Sequence, residues 1–265
     1  MVSDKEQRQR RQQAERILRK AAQLSRRHFS NLGALEVEAK GLQDYVSAAD
    51  REVEELIKTE LAQTFAGESF LGEESGGDID QALWVSDPID GTHNFLRGIP
   101  LYGISLAFVV DARTVVGAIY LPELDQMYSA TLEGAAMLND DTTVVRQPRA
   151  LNESLVVIGY NPSRADDTYF ADLRGLLDAG CDIRRFGSAT YGLCMVAGGR
   201  VDGFWQQHLQ PWDAMAGLLI IERAGGRVND FGAEGLRQGS VVLAAAPTIA
   251  DELSRHLRIE LKTSK

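Results

Sequence analysis

Apolar positions at helical spacing open the chain. Ala14, Ile17, Leu18, Ala21, Ala22 and Leu24 share one face of residues 4–29, which predicts one long amphipathic helix. A second helix is predicted from about residue 47 to 65, with Val53, Leu56, Ile57 and Leu61 as its apolar stripe. Short strands are expected at 69–71 and 82–86. The runs 104–110, 114–121, 126–130 and 135–138, broken by Asp111-Ala112 and Pro122-Glu123, read as a meandering antiparallel sheet.

The pattern changes after about Leu151. Strands at 155–159, 183–186, 201–205 and 241–245 alternate with helices at 166–179, 188–197, 212–224 and 249–258. The chain therefore divides into an α+β half, residues 1–150, and an α/β half, residues 151–265. Periodicity by itself gives mixed α and β. At 265 residues, 44% of them hydrophobic, there is enough apolar surface for a large core.

Charge adds one asymmetry. The net charge is −10, which argues against general nucleic-acid affinity. Residues 1–30 nevertheless hold nine Lys/Arg against three acids, so they carry +6 and the remainder −16. The simple reading is a solvated helix face, and the sharper one an RNA or protein contact. Cys181 and Cys194 have no Cys-x-x-Cys partner, and Cys194 sits in an apolar run where a buried thiol is the default. Neither a disulfide nor a zinc site is expected. The first residues lack the apolar core of a signal peptide, and no run reaches the ~18–20 apolar residues of a membrane span. A cytoplasmic protein with no membrane partner is expected.

The chemistry concentrates in Trp84-Val85-Ser86-Asp87-Pro88-Ile89-Asp90-Gly91-Thr92-His93-Asn94-Phe95. Two carboxylates three residues apart raise each other's pKa unless a cation lies between them. Mg²⁺ suits such hard oxygen ligands and keeps waters for a phosphate-bearing substrate. The amides of Gly91 and Thr92 stand where a helix can begin and hold an anion. Three further acidic segments accompany this run: Gly72-Glu73-Glu74-Ser75, Ser47-Ala48-Ala49-Asp50 and Pro211-Trp212-Asp213. Each alone has a structural explanation, as a turn, a solvated loop or a helix cap. Their joint occurrence in this order favours a metal-dependent phosphatase site.

Together these segments resemble the inositol monophosphatase family of Mg²⁺-dependent, lithium-sensitive phosphatases. The first family signature resembles residues 84–95 and the second 212–226, within a likeness running from about Lys40 to Gly226. The resemblance implies an αβαβα sandwich with the site between the two halves, two or three Mg²⁺ ions, and a homodimer. It assigns metal ligation to Glu73, Asp87, the Ile89 carbonyl, Asp90 and Asp213, most of them in the first half. Thr92 and Asp50 would polarise the attacking water, with Glu73 as the competing candidate. Gly91 and Thr92 would hold the phosphate, and Asp90, Gly187, Ser188, Ala189 and Gln206 would contact the alcohol. At Gln206 the family typically carries a glutamate, and His93 replaces a frequent small polar residue. A neutral amide can still donate to and accept from hydroxyls. His93 and His208 each read as a phosphate contact or as a packed bystander. The expected activity is hydrolysis of inositol monophosphate or a related polyol phosphate, with histidinol phosphate or another small monoester as the alternative. Some bacterial relatives act in ribosomal-RNA transcription complexes, and the basic segment 1–30 is this chain's only hint of that.

Overall fold

The computed structural model describes residues 2–34, 37–41, 44–161 and 166–262. Helix α1 (Asp4–Phe29) opens with a Ser3–Glu6 capping box, and α2 (Ala48–Thr64) with the matching Ser47–Asp50 box. Both lie on a seven-stranded sheet: β3 (Ser69–Gly72), β4 (Ala82–Asp90), β5 (Gly103–Val110), β6 (Arg113–Leu121), β7 (Gln126–Thr131), β8 (Met137–Leu138) and β9 (Asp141–Thr142), in that spatial order. Strands β5 to β8 form the expected antiparallel meander, which β4 and the unforeseen β9 extend at its two ends, and β3 joins β4 in parallel. The sequence between β3 and β4 is too short to have suggested a crossover. A hairpin of β1 (Val37–Gly41) and β2 (Asp44–Ser47), absent from the sequence reading, precedes α2.

The second sheet is mixed, in the order β11 (Asp182–Arg184), β10 (Leu155–Ile158), β12 (Gly203–Leu209), β14 (Ser240–Ala245) and β13 (Arg227–Val228). Between the two sheets run α5 (Ala189–Ala197) and α6 (Pro211–Arg223). Outside the second sheet pack α4 (Asp167–Asp178) and α8 (Pro247–Leu257). The layers therefore follow the αβαβα order. The remaining helices are the five-residue α3 (Thr92–Leu96) and α7 (Gly232–Gln238), the latter not foreseen.

Strand alternation shows why this stacking is stable. On β12, Phe204 faces the central helices while Trp205 faces α4 and α8; on β14, Val242 and Ala244 point inward while Leu243 and Ala245 point outward. On β4, Leu83 and Val85 face α6 while Trp84 joins Phe108 under α1 and α2. Strands covered on both faces need apolar residues at every position, which is why they read as continuous runs. Gly117 lets α6 approach, since a Cβ there would lie 2.7 Å from the Ala216 carbonyl oxygen.

The basic charge of α1 is largely spent within the chain. Arg8 pairs with Asp4, Arg10 with Glu68, Arg11 with Glu15, Arg16 and Lys20 with Glu60, and Arg26 with Glu123. Six of its nine cations are thus in ion pairs, and those to Glu60, Glu68 and Glu123 fasten the helix to its neighbours. No helix among the described residues is long and apolar enough to cross a membrane. Cys181 and Cys194 are free, buried thiols.

Candidate active site

The site is built around an irregularity in β4. Residues three apart on a regular strand point to opposite faces. Here Asp87 stands opposite Ser105 and Asp90 opposite Gly103, so β4 advances three residues while β5 advances two. The extra residue is a bulge containing Pro88, which has no N–H to give to a ladder. It reverses the parity and brings both carboxylates to one side. The strand therefore continues to Asp90, four residues beyond its predicted end. The Ile89 amide donates to Asp87 Oδ1 at 2.8 Å, fixing the bulge from inside.

Helix starts bring the other acids. Asp213 occupies the third position of α6, with Gln210 as the cap and Pro211 first, where its missing N–H costs nothing. Asp50 is the third residue of α2, its Oδ2 accepting from the Ser47 amide at 2.8 Å and hydroxyl at 2.6 Å. Neither is the N-cap itself, and both profit from the positive end of the helix. Asp87, Asp90 and Asp213 each offer an oxygen within 4.8 Å of the others. Glu73 is not one of that trio, but its negative charge bears on Asp87.

Asp90 is oriented by α5. Its Oδ2 accepts from the Ser188 hydroxyl at 2.7 Å, the Thr190 hydroxyl at 2.7 Å and the Thr190 amide at 2.5 Å. Gly103 makes this approach feasible, because a Cβ there would lie 2.4 Å from Thr190 Oγ1. Thr190 ends the segment 187–190 that resembles a sugar-contacting stretch of the family, and the fold adds its bonds to Asp90. The Ser188 hydroxyl donates to Asp90, and the residue also lines the cavity described below. Thr92 also differs from the simple cap reading: Gly91 is the N-cap of α3, with φ of 97° that suits glycine. The Thr92 hydroxyl lies 3.2 Å from Asp50 Oδ1 and 3.0 Å from the Ile89 carbonyl oxygen.

A cavity of 430 Å³ adjoins these acids, lined by Asp90, Asp213, His93, Asn94, Arg185 and Gln206 among others. Gly187, Ser188 and Ala189 also line it. The Gln206 amide nitrogen donates to the His208 carbonyl at 2.9 Å, while its oxygen lies over Gly159, where a Cβ would come within 1.6 Å. That bond uses one of the two Gln206 N–H groups, so the side chain keeps an acceptor oxygen and a second donor. Asn94 donates to the Leu101 and Phe186 carbonyls and so braces the wall. His93 Nε2 accepts from Arg97 at 2.9 Å, and His208 bonds the Gln238 carbonyl outside the cavity. Arg185, stacked 5.4 Å from the centre of the Tyr160 ring, brings positive charge that the sequence reading did not single out.

The electrostatics ask for a cation. Burial, then the charges of Glu73, Asp90 and Asp213, push Asp87 far above the usual carboxylate range. Burial and the Asp90 charge push Asp213 up to about 7. Burial also raises Asp90, against the bonds from Thr190 and Ser188, and raises Asp50 against those from Ser47. Hard carboxylate oxygens in this density match Mg²⁺ and offer nothing to soft metals. A raised pKa means that the folded state holds extra protons, so stability is fully present below about pH 4 and is lost as pH rises through about 7. Metal-free protein should therefore melt roughly 5 °C lower at about pH 8 than at about pH 5.5, with Mg²⁺ erasing most of the difference. A Tm in chelator that does not vary with pH would contradict this.

The model of the inositol monophosphatase family matches residues 6–262. An inositol-1-monophosphatase of Mesorhizobium japonicum is 40% identical over 230 residues, covering 84% of this chain and 86% of that protein. A Nus factor SuhB of Haemophilus influenzae is 33% identical over 247 residues, covering 91% and 92%. The crystal structure of the extragenic suppressor protein suhB from Bartonella henselae superposes with a TM-score of 0.88 at 36% identity, covering 93% and 97%. With the layered sheets, the bulged acidic strand and these likenesses in agreement, the chain belongs to the inositol monophosphatase family of phosphoric monoester hydrolases.

Proposed function

We propose that the protein hydrolyses a small polyol or sugar phosphate monoester, with inositol monophosphate as the leading substrate and Mg²⁺ as its metal. The convergence of Asp87, Asp90 and Asp213 beside a 430 Å³ cavity carries this reading. Those three side chains, with Glu73 and the Ile89 carbonyl, would hold two or three Mg²⁺ ions. When bound, the ions supply an acidified water, charge neutralisation at the phosphoryl oxygens and stabilisation of the leaving alkoxide.

The chain's own groups do the remaining work. The Thr92 hydroxyl has one proton and two acceptors within reach, Asp50 and Ile89. Donating it to Asp50 leaves the Thr92 oxygen free to accept a proton from the attacking water. The water oxygen bonds to phosphorus, the ester P–O bond breaks, and the leaving alkoxide takes a proton from solvent water while Asp50 returns its own proton to solvent. The Gly91 and Thr92 amides face the phosphate in this reading, and Arg185 adds attraction for an anionic substrate. Gln206 accepts a hydroxyl of the alcohol, which selects polyols over apolar esters.

Gln206→Glu replaces a neutral acceptor with a charged one. It should raise kcat/KM for inositol monophosphate by about tenfold relative to other monoesters, the gain of a charge-assisted hydrogen bond. An unchanged substrate ranking would remove Gln206 from recognition. The reading as a whole is tested by phosphate release across inositol, histidinol, fructose, glycerol and nucleotide phosphates, with and without Mg²⁺. Release confined to polyol phosphates with Mg²⁺ supports it, and no release from any of them overturns it.

Relatives called Nus factor SuhB direct attention to a transcription complex as a second role. The ion pairing of α1 weighs against that helix as an RNA surface. Lys5, Arg19 and Arg27 are its cations with no ion pair among the described residues.

A further inference from the structure

Glu54 is a buried acid outside the group just described. It lies on α2 one turn after Asp50 and is 3% exposed. Taking a carboxylate out of water is costly unless hydrogen bonds replace its solvation. Here the replacements are two consecutive backbone amides: Glu74 N–H donates to Oε2 at 2.9 Å and Ser75 N–H to Oε1 at 2.8 Å. Both amides belong to the turn that carries Glu73. Gly72, which precedes Glu73, lies against the same carboxylate, since a Cβ there would come 2.3 Å from Oε2.

We infer that Glu54 is a positioning residue for the metal site, holding the 72–76 turn so that Glu73 faces Asp87. The inference rests on the metal-dependent reading above. Gly72 and Gly76 close the turn with reciprocal 3.0 Å bonds, and the Glu73 amide donates to the Ser86 carbonyl at 3.2 Å, one residue before Asp87. These bonds fix the two ends of the turn. Between those ends, Glu54 holds the peptide planes that follow Glu73, and these set the direction of the Glu73 side chain. Residues four apart on a helix share a face, so one side of α2 serves two tasks. Asp50 holds Thr92, and Glu54 holds the Glu73 turn. A group acting at one remove from a ligand changes metal affinity more than the chemistry of the loaded site.

The variants Glu54→Gln and Glu54→Leu separate this role from simple structural support. A Gln side chain keeps one acceptor oxygen and loses the other, and a Leu side chain keeps none. Mg²⁺ binding measured by calorimetry should weaken about tenfold in E54Q and roughly a hundredfold in E54L, the range for groups that orient metal ligands. The rise in Tm on adding Mg²⁺ should shrink in the same order. At saturating Mg²⁺, kcat of E54Q should stay within about threefold of the parent, because the interactions made only in the transition state are intact. E54Q that binds Mg²⁺ as tightly as the parent overturns the inference, whatever happens to its metal-free Tm. If E54L does not fold, E54Q alone decides. Should the parent itself bind no Mg²⁺ and release no phosphate, the functional reading falls and this inference with it. Failure confined to E54Q leaves the functional reading standing.

Discussion

Asp87→Asn should lower Mg²⁺-dependent phosphate release by at least about 10³-fold, the several kcal/mol that a bound cation contributes to the transition state. The same change should raise the Tm of the metal-free protein. Asp87 is 1% exposed and surrounded by Glu73, Asp90 and Asp213, so its charge is a burden whenever no cation is present. An amide keeps the shape, accepts from the Ile89 amide through its oxygen as Asp87 Oδ1 does, and removes the repulsion. Lower activity combined with higher metal-free stability is the signature of a site organised for a ligand at the expense of the fold. Near-normal turnover, or a metal-free Tm that falls by several degrees, would contradict the account. Steady-state assays and thermal melts in chelator measure both arms.

The second large effect belongs to Thr92. Thr92→Val preserves the branched shape and deletes only the hydroxyl that bridges to Asp50 at 3.2 Å. Loss of an oriented proton acceptor should reduce kcat by about 10²-fold or more. Mg²⁺ affinity should change little, because the valine sits beside the ligands without adding or removing charge. This variant also decides between the two candidates for polarising the water. If kcat of T92V falls less than about threefold, far below a general-base contribution, the task passes to Glu73.

Much of this molecule could be read from its residues, and the failures have physical causes. The long helices α1 and α2 were plain because their apolar stripes are sustained over many turns and both begin at Ser capping boxes. The layer order followed from family resemblance, since strands covered on both faces carry no period of two to show which helix covers which side. At the site, Asp87 and Asp90 were conspicuous, yet their spacing places them on opposite faces of any regular strand. Only the bulge at Pro88 reconciles the spacing with a shared site, and its effect on register is set by pairing with β5. The pairing of Thr190 with Asp90 and the role of Glu54 were silent because the partners lie 100 and about 20 positions away in sequence. The basic segment was legible only in part, for a related reason. Its acidic partners Glu60, Glu68 and Glu123 come from other elements, so sequence displays the charge without its compensation.

Crystals of the protein soaked in Mn²⁺, a scatterer with the oxygen preference of Mg²⁺, test the central claim most directly. Anomalous peaks should appear about 2.0–2.2 Å from carboxylate oxygens of Asp87, Asp90 and Asp213, the first-shell distance of a small divalent cation. An anomalous map with no peak bonded to any of these three side chains, at Mn²⁺ concentrations that fill other sites, would contradict the account.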